Sequence, residues 1–175
     1  MSRIQVPAIE SAPEGSQAVL SAIKAKLGSV PNFFRLLSNS PAVIAAHAAL
    51  NQNLGKALDV KTRERIALAV AAVNGCEYCN AAHSFTGFTF NKLSHEEIGK
   101  AREGTSEEPK AAAALAFARR VAEQRGKVSD ADLDAVRAAG FTDAQIVEIV
   151  AVVAENFFTN LMNNVARTDV DFPAI

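Results

Sequence analysis

Apolar residues recur at intervals of three and four positions along almost the whole chain, which is the spacing of one face of an α-helix. Alternating runs of Val, Ile, Thr and aromatic residues, which would indicate strands, are missing. The pattern therefore predicts an all-α fold. We expect helices near residues 16–27, 32–38, 41–57, 61–73, 76–90, 94–103, 108–126, 130–139 and 142–166.

The residues at the predicted helix ends support these boundaries. Pro31 and Pro41 suit early helical positions, and Ser94 with Glu97 predicts a capping box. Three glycines lie at the ends of predicted helical runs, where helix C-caps commonly carry glycine: Gly104, Gly126 and Gly140.

Size and charge limit the classes of protein that the chain can belong to. A chain of 175 residues, of which 49% are hydrophobic, can bury one core, so we expect a single domain over residues 1–175. Within it, residues 1–15 should form an extended N-terminal arm and residues 168–175 a short C-terminal arm. The formal charge of −1 predicts neither a nucleic-acid nor a membrane partner.

The start of the chain has no signal-peptide pattern, and the most apolar run, "IVEIVAVVA", is short and interrupted by Glu148. We therefore expect a soluble, cytoplasmic protein.

Two segments of the chain are similar at a shift of 80 positions. The shift aligns "TRERIALAVAAVNGCEYCNAAH" with "TDAQIVEIVAVVAENFFTNLMN" and pairs identical residues such as Thr62 with Thr142 and Asn80 with Asn160. The similarity suggests an internally repeated helix pair. The first copy alone carries the reactive side chains Glu64, Cys76, Cys79 and His83, which align with Ala144, Asn156, Thr159 and Asn163.

Both cysteines of the chain lie in the stretch "NGCEYCNAAHSF". Cys76, Cys79 and His83 follow at intervals of three and four positions, so they share one face of a helix that begins near Gly75. A helix N-terminus and a nearby imidazole each stabilise a thiolate. In a reducing compartment such a pair indicates redox or metal chemistry rather than a structural disulfide.

Glu64 is placed to orient His83. If the chain reverses at Asn74 and Gly75, Glu64 lies ten residues before the reversal and His83 eight residues after it. These separations correspond to roughly 15 Å and 12 Å along two antiparallel helices at ~1.5 Å per residue, so the two side chains should be level. The order carboxylate, imidazole, nucleophile and second thiol is typical of covalent catalysis with a resolving thiol.

This set of groups suits peroxide reduction. A thiolate attacks the peroxide oxygen, becomes a sulfenic acid and condenses with its neighbour to a disulfide, which an external dithiol must then reduce.

The pattern of Glu64, eleven residues, "CEYC", three residues and His83 resembles the alkylhydroperoxidase D family, within the wider carboxymuconolactone decarboxylase superfamily. The segments "LGSVPNFFRLLSNSPAVIAA" and "VARTDVDFP" are also similar to peroxidase-related members of that family. The resemblance therefore covers most of the chain from about Leu27 onward.

The resemblance implies an all-helical subunit in trimers or hexamers, with the active site near a subunit interface. It implies that Cys79 is the peroxidatic thiol, Cys76 the more exposed resolving thiol, His83 the base and Glu64 part of a proton relay. The implied partners are a small peroxide and a dithiol reductant or reductant protein, of the lipoyl type in some members. We expect no cofactor and no metal. Tyr78 stands where some members carry a histidine, and a phenol is a weaker base, so efficiency, substrate or reductant could differ.

Three other interpretations remain open at this stage. Cys76, Cys79, His83 and Glu64 could supply four zinc ligands, although three ligands on one helical run constrain tetrahedral geometry. The dithiol could serve a redox-sensing interaction protein. The chain could also be a carboxymuconolactone decarboxylase-like enzyme that does not use the dithiol.

Other polar residues are expected to lie outside the site. His47 and His95 are predicted to be structural or solvated, and Tyr78 is predicted to be a packing residue. A stripe of amides is predicted either to be solvated or to form a network between helices: Asn156, Asn160, Asn163 and Asn164.

Overall fold

The computed structural model describes residues 2–175, and its regular elements over that range are all helical, which confirms the all-α prediction. A short 3-10 helix, Ile9–Ser11, precedes the first α-helix. The α-helices are α1 Glu14–Leu27, α2 Asn32–Leu37, α3 Pro41–Leu54, α4 Val60–Val73, α5 Glu77–Thr89, α6 His95–Arg102, α7 Pro109–Glu123, α8 Asp130–Ala138 and α9 Asp143–Ala166.

Helix α4 lies at the centre of the fold, where it packs against α5, α6, α7 and α9. Its residues 65–71 are all buried, as a helix surrounded by others requires. One core cluster, which we call the main core, joins α4 to α6, α7, α8 and α9. A second cluster, the dithiol-side cluster, lies where α1, α2 and α3 cover α5 and the end of α4. The first three helices therefore cover the cysteines.

The predicted capping box at α6 forms only in part. Ser94 caps the helix by accepting a hydrogen bond from the Glu97 amide at 3.1 Å. The Glu97 side chain does not return to Ser94, because it is buried and pairs with Arg65 Nε at 2.6 Å. Glu97 also accepts a hydrogen bond from the Ser106 hydroxyl. The ion pair between α4 and α6 thus takes the place of the second capping bond.

The suggested repeat of a helix pair is wrong for the second segment. In the first segment Gly75 adopts a left-handed conformation, with φ at +59°, and separates α4 from α5. The position aligned with Gly75 is Glu155, which continues the helix, so α9 runs without a break for 24 residues.

The two chain ends lie together over α2. The Arg3 amide donates to the Ala166 carbonyl at 2.6 Å, and Arg35 Nε donates to the Pro7 carbonyl at 2.7 Å. The Asn32 amide donates to Asp171 Oδ2 at 2.8 Å. Hydrogen bonds therefore hold both ends beside the second helix.

Among residues 2–175, α9 is the helix whose length and mean hydropathy, 1.2 over 18 residues, would allow it to span a membrane. Core helices of soluble proteins meet the same criterion. Helix α9 packs against α3, α4, α5 and α7, and its protein-facing side carries four buried polar residues: Glu155, Asn156, Asn160 and Asn163. Its opposite side exposes aliphatic residues: Val147, Val150, Leu161 and Val165. The protein-facing side of α9 thus combines these polar residues with apolar core residues such as Ile149 and Val152, while aliphatic side chains are also exposed on its outer face.

Candidate active site

The turn between α4 and α5 places the two cysteines. The Cys76 amide donates to the Ala71 carbonyl at 2.9 Å, which closes the turn after α4. Cys76 is the N-cap of α5, and its Sγ accepts a hydrogen bond from the Cys79 amide at 3.3 Å. Cys79 follows in the first turn of α5. Both sulfurs therefore lie at a helix N-terminus, where the helix dipole stabilises negative charge on a thiolate.

The two cysteines form a disulfide, with their Cα atoms 5.3 Å apart. A separation of three residues across a helix N-cap brings the sulfurs within bonding range without any distant element having to move. The geometry is thus suited to a pair that opens and closes within one turn of helix.

Both cysteines are buried, which corrects one expectation. The resemblance implied that Cys76 is the more exposed thiol, but Cys76 is 0% and Cys79 3% exposed in the single chain. The N-cap position directs Cys76 into the dithiol-side cluster, whose other buried members include Ala71, Phe33 and Ile44. A substrate or reductant can therefore reach the sulfurs only where the covering side chains move.

Glu64 and His83 form a hydrogen-bonded pair across α4 and α5. The distance from His83 Nδ1 to Glu64 Oε1 is 2.9 Å, so the two side chains are level, as the helix arithmetic predicts. Asn91 Nδ2 donates to Glu64 Oε2 at 3.0 Å, and the Thr86 hydroxyl donates to Glu64 Oε1. Three donors therefore fix the carboxylate, and the carboxylate fixes the imidazole.

The surroundings of His83 favour its protonated form. Burial by itself lowers the pKa of His83, but the charge of Glu64 and its hydrogen bond raise it, with a further contribution from the charge of Glu155. The result is a pKa above the ordinary 6.5. The imidazole, one helical turn after Cys79, therefore stays protonated to a higher pH than a free histidine and can supply a proton.

Glu155 brings a second carboxylate close to the site, and sequence reasoning did not identify it. It is buried on α9 and accepts a hydrogen bond from Asn51 Nδ2 at 2.9 Å. Besides His83, its charge acts on His47, which stacks on Phe158 with ring centroids 5.6 Å apart. Burial lowers the pKa of His47, and the charge of Glu155 opposes this only in part. His47 is therefore a neutral, packed imidazole.

Asn163, which the sequence pattern does not assign to the site, also contacts the dithiol. Its Nδ2 lies 3.4 Å from Cys79 Sγ and donates to the Thr159 carbonyl at 3.0 Å. Asn160, one turn earlier, accepts a hydrogen bond from Asn74 Nδ2 at 2.9 Å. The amide stripe therefore faces α5 and the turn before it. Its four-residue spacing was visible in the sequence, but the face that it occupies was not.

The hydroxyl of Tyr78 is both a hydrogen-bond donor and a hydrogen-bond acceptor in the structure. The hydroxyl donates to Asp171 Oδ1 at 2.9 Å and accepts from the Phe33 amide at 3.0 Å. Burial raises the pKa of Tyr78, and the charge of Asp171 raises it further. The phenol is thus a neutral link between α5, α2 and the C-terminal arm.

The arrangement of these side chains does not resemble a zinc site. Over residues 2–175, no group of three or more His, Cys, Asp and Glu side chains is arranged to hold a metal ion. Cys76 and Cys79 bond to each other, while Glu64 pairs with His83. The four candidate ligands thus form a disulfide and a carboxylate–imidazole pair.

The part of the chain that carries the cysteines and the Glu64–His83 pair is similar to a known protein family. Residues 41–124 match the sequence model of the carboxymuconolactone decarboxylase family, and this range includes Glu64, Cys76, Cys79 and His83. No significant match was found among curated proteins.

Solved structures match over nearly the whole chain. A peroxidase-related protein from Ralstonia eutropha JMP134, described as an alkylhydroperoxidase AhpD core, is 28% identical with a TM-score of 0.87, over 97% of this chain and 92% of that one. A peroxidase-related protein from Silicibacter sp. TM1040 is 22% identical with a TM-score of 0.84, over 96% and 91% of the two chains. The debrominase Bmp8 is 21% identical with a TM-score of 0.79, also over 96% and 91%. The latter two are similar in fold.

Proposed function

We propose, from the premise that this chain is an AhpD-like member of the carboxymuconolactone decarboxylase superfamily, that it is a thiol-dependent peroxidase. Its substrates are hydrogen peroxide or organic hydroperoxides, and its role is antioxidant defence. The observation that carries the proposal is the Cys76–Cys79 pair at the start of α5, followed one turn later by His83 in a 2.9 Å contact with Glu64.

The first step oxidises Cys79. Its thiolate attacks one oxygen of the hydroperoxide, a sulfur–oxygen bond forms and the oxygen–oxygen bond breaks. The sulfur loses two electrons and becomes a sulfenic acid, while the leaving alkoxide or hydroxide takes a proton and departs as alcohol or water. His83, held by Glu64 and with its pKa raised above the ordinary value, is the group in this set that can supply that proton.

The second step closes the disulfide and the third reopens it. The Cys76 sulfur attacks the Cys79 sulfenic acid and releases water, which leaves the bond seen in the structure. An external dithiol then gives two electrons and two protons to restore both thiols and is itself oxidised to a disulfide. We propose a lipoyl-type dithiol or a reductant protein in the cytoplasm as this donor.

We further propose that the chain works as a homo-oligomer. The outer face of α9 exposes Val147 at 68%, Leu161 at 59% and Val165 at 62%, which is an apolar stripe on an otherwise well-packed helix. A second copy of the chain is the partner that the family resemblance suggests for this face.

The test is steady-state peroxide reduction with a lipoyl dithiol as donor. Cys79→Ser should abolish turnover, and Cys76→Ser should slow it because the Cys79 sulfenic acid must then react directly with the external dithiol. His83→Gln should slow the reaction at neutral pH and less at alkaline pH, where the thiolate forms unaided. His95→Gln, on the surface of α6, is the matched control and should react like the wild type.

Undiminished turnover by Cys79→Ser would refute the assignment. A decarboxylase-like enzyme would convert a lactone acid with or without Cys79. A zinc module would contain about one metal ion per subunit and show no turnover. A redox sensor would form the disulfide but turn over slowly. Metal content and thiol titration before and after peroxide addition separate these alternatives.

A further inference from the structure

Asn163 is a buried side chain that touches the reacting sulfur, although it lies 84 residues away from Cys79 in the chain. It is 3% exposed, and its Nδ2 atom is 3.4 Å from Cys79 Sγ. Asn163 lies on α9, so the contact joins α9 to the first turn of α5.

The orientation of the Asn163 amide follows from its second contact. The carbonyl of Thr159 lies 3.0 Å from Nδ2 and can only accept a hydrogen bond. The group that faces it must therefore be the NH₂ group rather than the oxygen. One hydrogen of that group is directed to Thr159, which leaves the other for the Cys79 sulfur.

The other half of the Asn163 amide has no partner. Its Oδ1 atom is buried and makes no hydrogen bond. A buried acceptor without a partner lowers stability, so a purely structural role would favour an aliphatic side chain of similar size here. What the amide adds at this position is an N–H donor directed at sulfur.

We propose that Asn163 prepares Cys79 for reaction, because its amide N–H donates to the Cys79 sulfur and stabilises the thiolate that attacks the hydroperoxide. This inference rests on the proposed peroxidase function for its biological meaning, but the interaction itself concerns one sulfur and one amide. The thiolate then has three stabilising influences: the start of α5, the imidazolium of His83 and the amide of Asn163 on α9.

The test measures the ionisation of Cys79 directly. In a Cys76→Ser background Cys79 is the single cysteine of the chain. The rate of its alkylation by iodoacetamide, followed against pH, gives the thiol pKa with no peroxide present. Asn163→Leu removes the donor at similar volume, and Asn163→Ala removes it with no possibility of overpacking.

Asn160→Leu is the matched control. Asn160 is an equally buried amide on the same helix, but its contact is with Asn74 and not with sulfur. The other titratable groups that the packed helices bring towards the dithiol stay the same in every protein compared: His47, Glu64, Glu77, Tyr78, His83 and Glu155.

The expected result is an upward shift of the Cys79 pKa by about one unit in Asn163→Leu, which lowers the thiolate fraction about tenfold at pH values below both alkylation midpoints. Asn163→Ala should shift the pKa in the same direction, and Asn160→Leu by less than about 0.3 unit. The unfolding free energy of Asn163→Leu should equal or exceed that of the parent, because an unpaired acceptor is lost.

The proposal is overturned if both Asn163 variants leave the alkylation midpoint unchanged, or if Asn160→Leu moves it equally. If the wild type fails to reduce peroxide but the Asn163 variants shift the thiol pKa, the proposed function fails and the role of Asn163 stands. If the wild type reduces peroxide but the Asn163 variants leave the Cys79 pKa unchanged, the proposed function stands and the role of Asn163 fails.

Discussion

The Glu64–His83 pair makes a quantitative prediction for the variant Glu64→Gln. The substitution keeps the size of the side chain and an oxygen that can accept from His83, but it removes the negative charge. It leaves Thr86 and Asn91 in place as donors. Its principal effect should therefore be electrostatic.

The magnitude follows from the contact. A hydrogen bond to a charged group contributes about 1.5–3 kcal/mol, and the His83 side chain is still 30% exposed, so solvent screening brings the expected value to about 1.4 kcal/mol. That free energy corresponds to a fall of about one unit in the pKa of His83.

The same change has a consequence for stability. A histidine whose pKa is raised by folding stabilises the protein below its unfolded pKa, and this contribution is lost as pH rises through the raised value. The wild type should therefore exceed Glu64→Gln in unfolding free energy by more at about pH 6 than at about pH 9.

The assay is a proton NMR titration of the imidazole C–H signals in the oxidised protein, where the thiols do not titrate. The chain has three histidines, and the spectrum of His83→Gln assigns the relevant signal. Asn91→Ala, which removes one hydrogen bond to the carboxylate but no charge, is the control. A His83 pKa that stays within about 0.3 unit of the wild-type value in Glu64→Gln would refute the electrostatic account.

Three further predictions concern the packing around the site. His47→Phe keeps a ring beside Phe158 but removes an imidazole whose pKa is lowered in the folded protein. The variant should therefore lose less unfolding free energy than the wild type as pH falls below 6.5. Equal losses in urea unfolding would contradict this. Tyr78→Phe leaves the buried Phe33 amide without a partner and should lower the unfolding free energy by about 1–3 kcal/mol, while peroxide turnover persists. Loss of turnover at unchanged stability would instead indicate a chemical role for the phenol. Arg65→Met leaves the buried Glu97 carboxylate without its charged partner and should lower the unfolding free energy by about 3–5 kcal/mol. Arg137→Met, which breaks an exposed ion pair, should lower it by less than about 1 kcal/mol. Similar losses for the two variants in thermal unfolding would show that burial does not matter.

Much of the fold was predictable because its information is local. Apolar spacing, caps and glycines locate each helix within a few residues, and the left-handed Gly75 sets the reversal between α4 and α5. Once that reversal is known, the rise per residue is enough to place Glu64 beside His83, at 2.9 Å in the structure.

The features that the sequence did not predict depend on distant contacts. Asn163 reaches Cys79 from α9, and no local pattern says which face of α9 turns inward. Cys76 is buried because the first three helices cover it, which its own neighbours in the chain do not reveal. The Glu97 side chain forms an ion pair with Arg65, 32 positions earlier in the chain, instead of a capping hydrogen bond to Ser94.

The central claim is that the thiols of Cys79 and Cys76 give two electrons to a peroxide and become a disulfide with each other. A single-turnover titration of the fully reduced protein with one hydroperoxide, followed by peptide mapping, tests it most directly. We predict that each chain consumes about one equivalent of peroxide, loses both thiols and yields a peptide in which Cys76 is bonded to Cys79. Peroxide that remains unconsumed while both thiols stay free would contradict the claim.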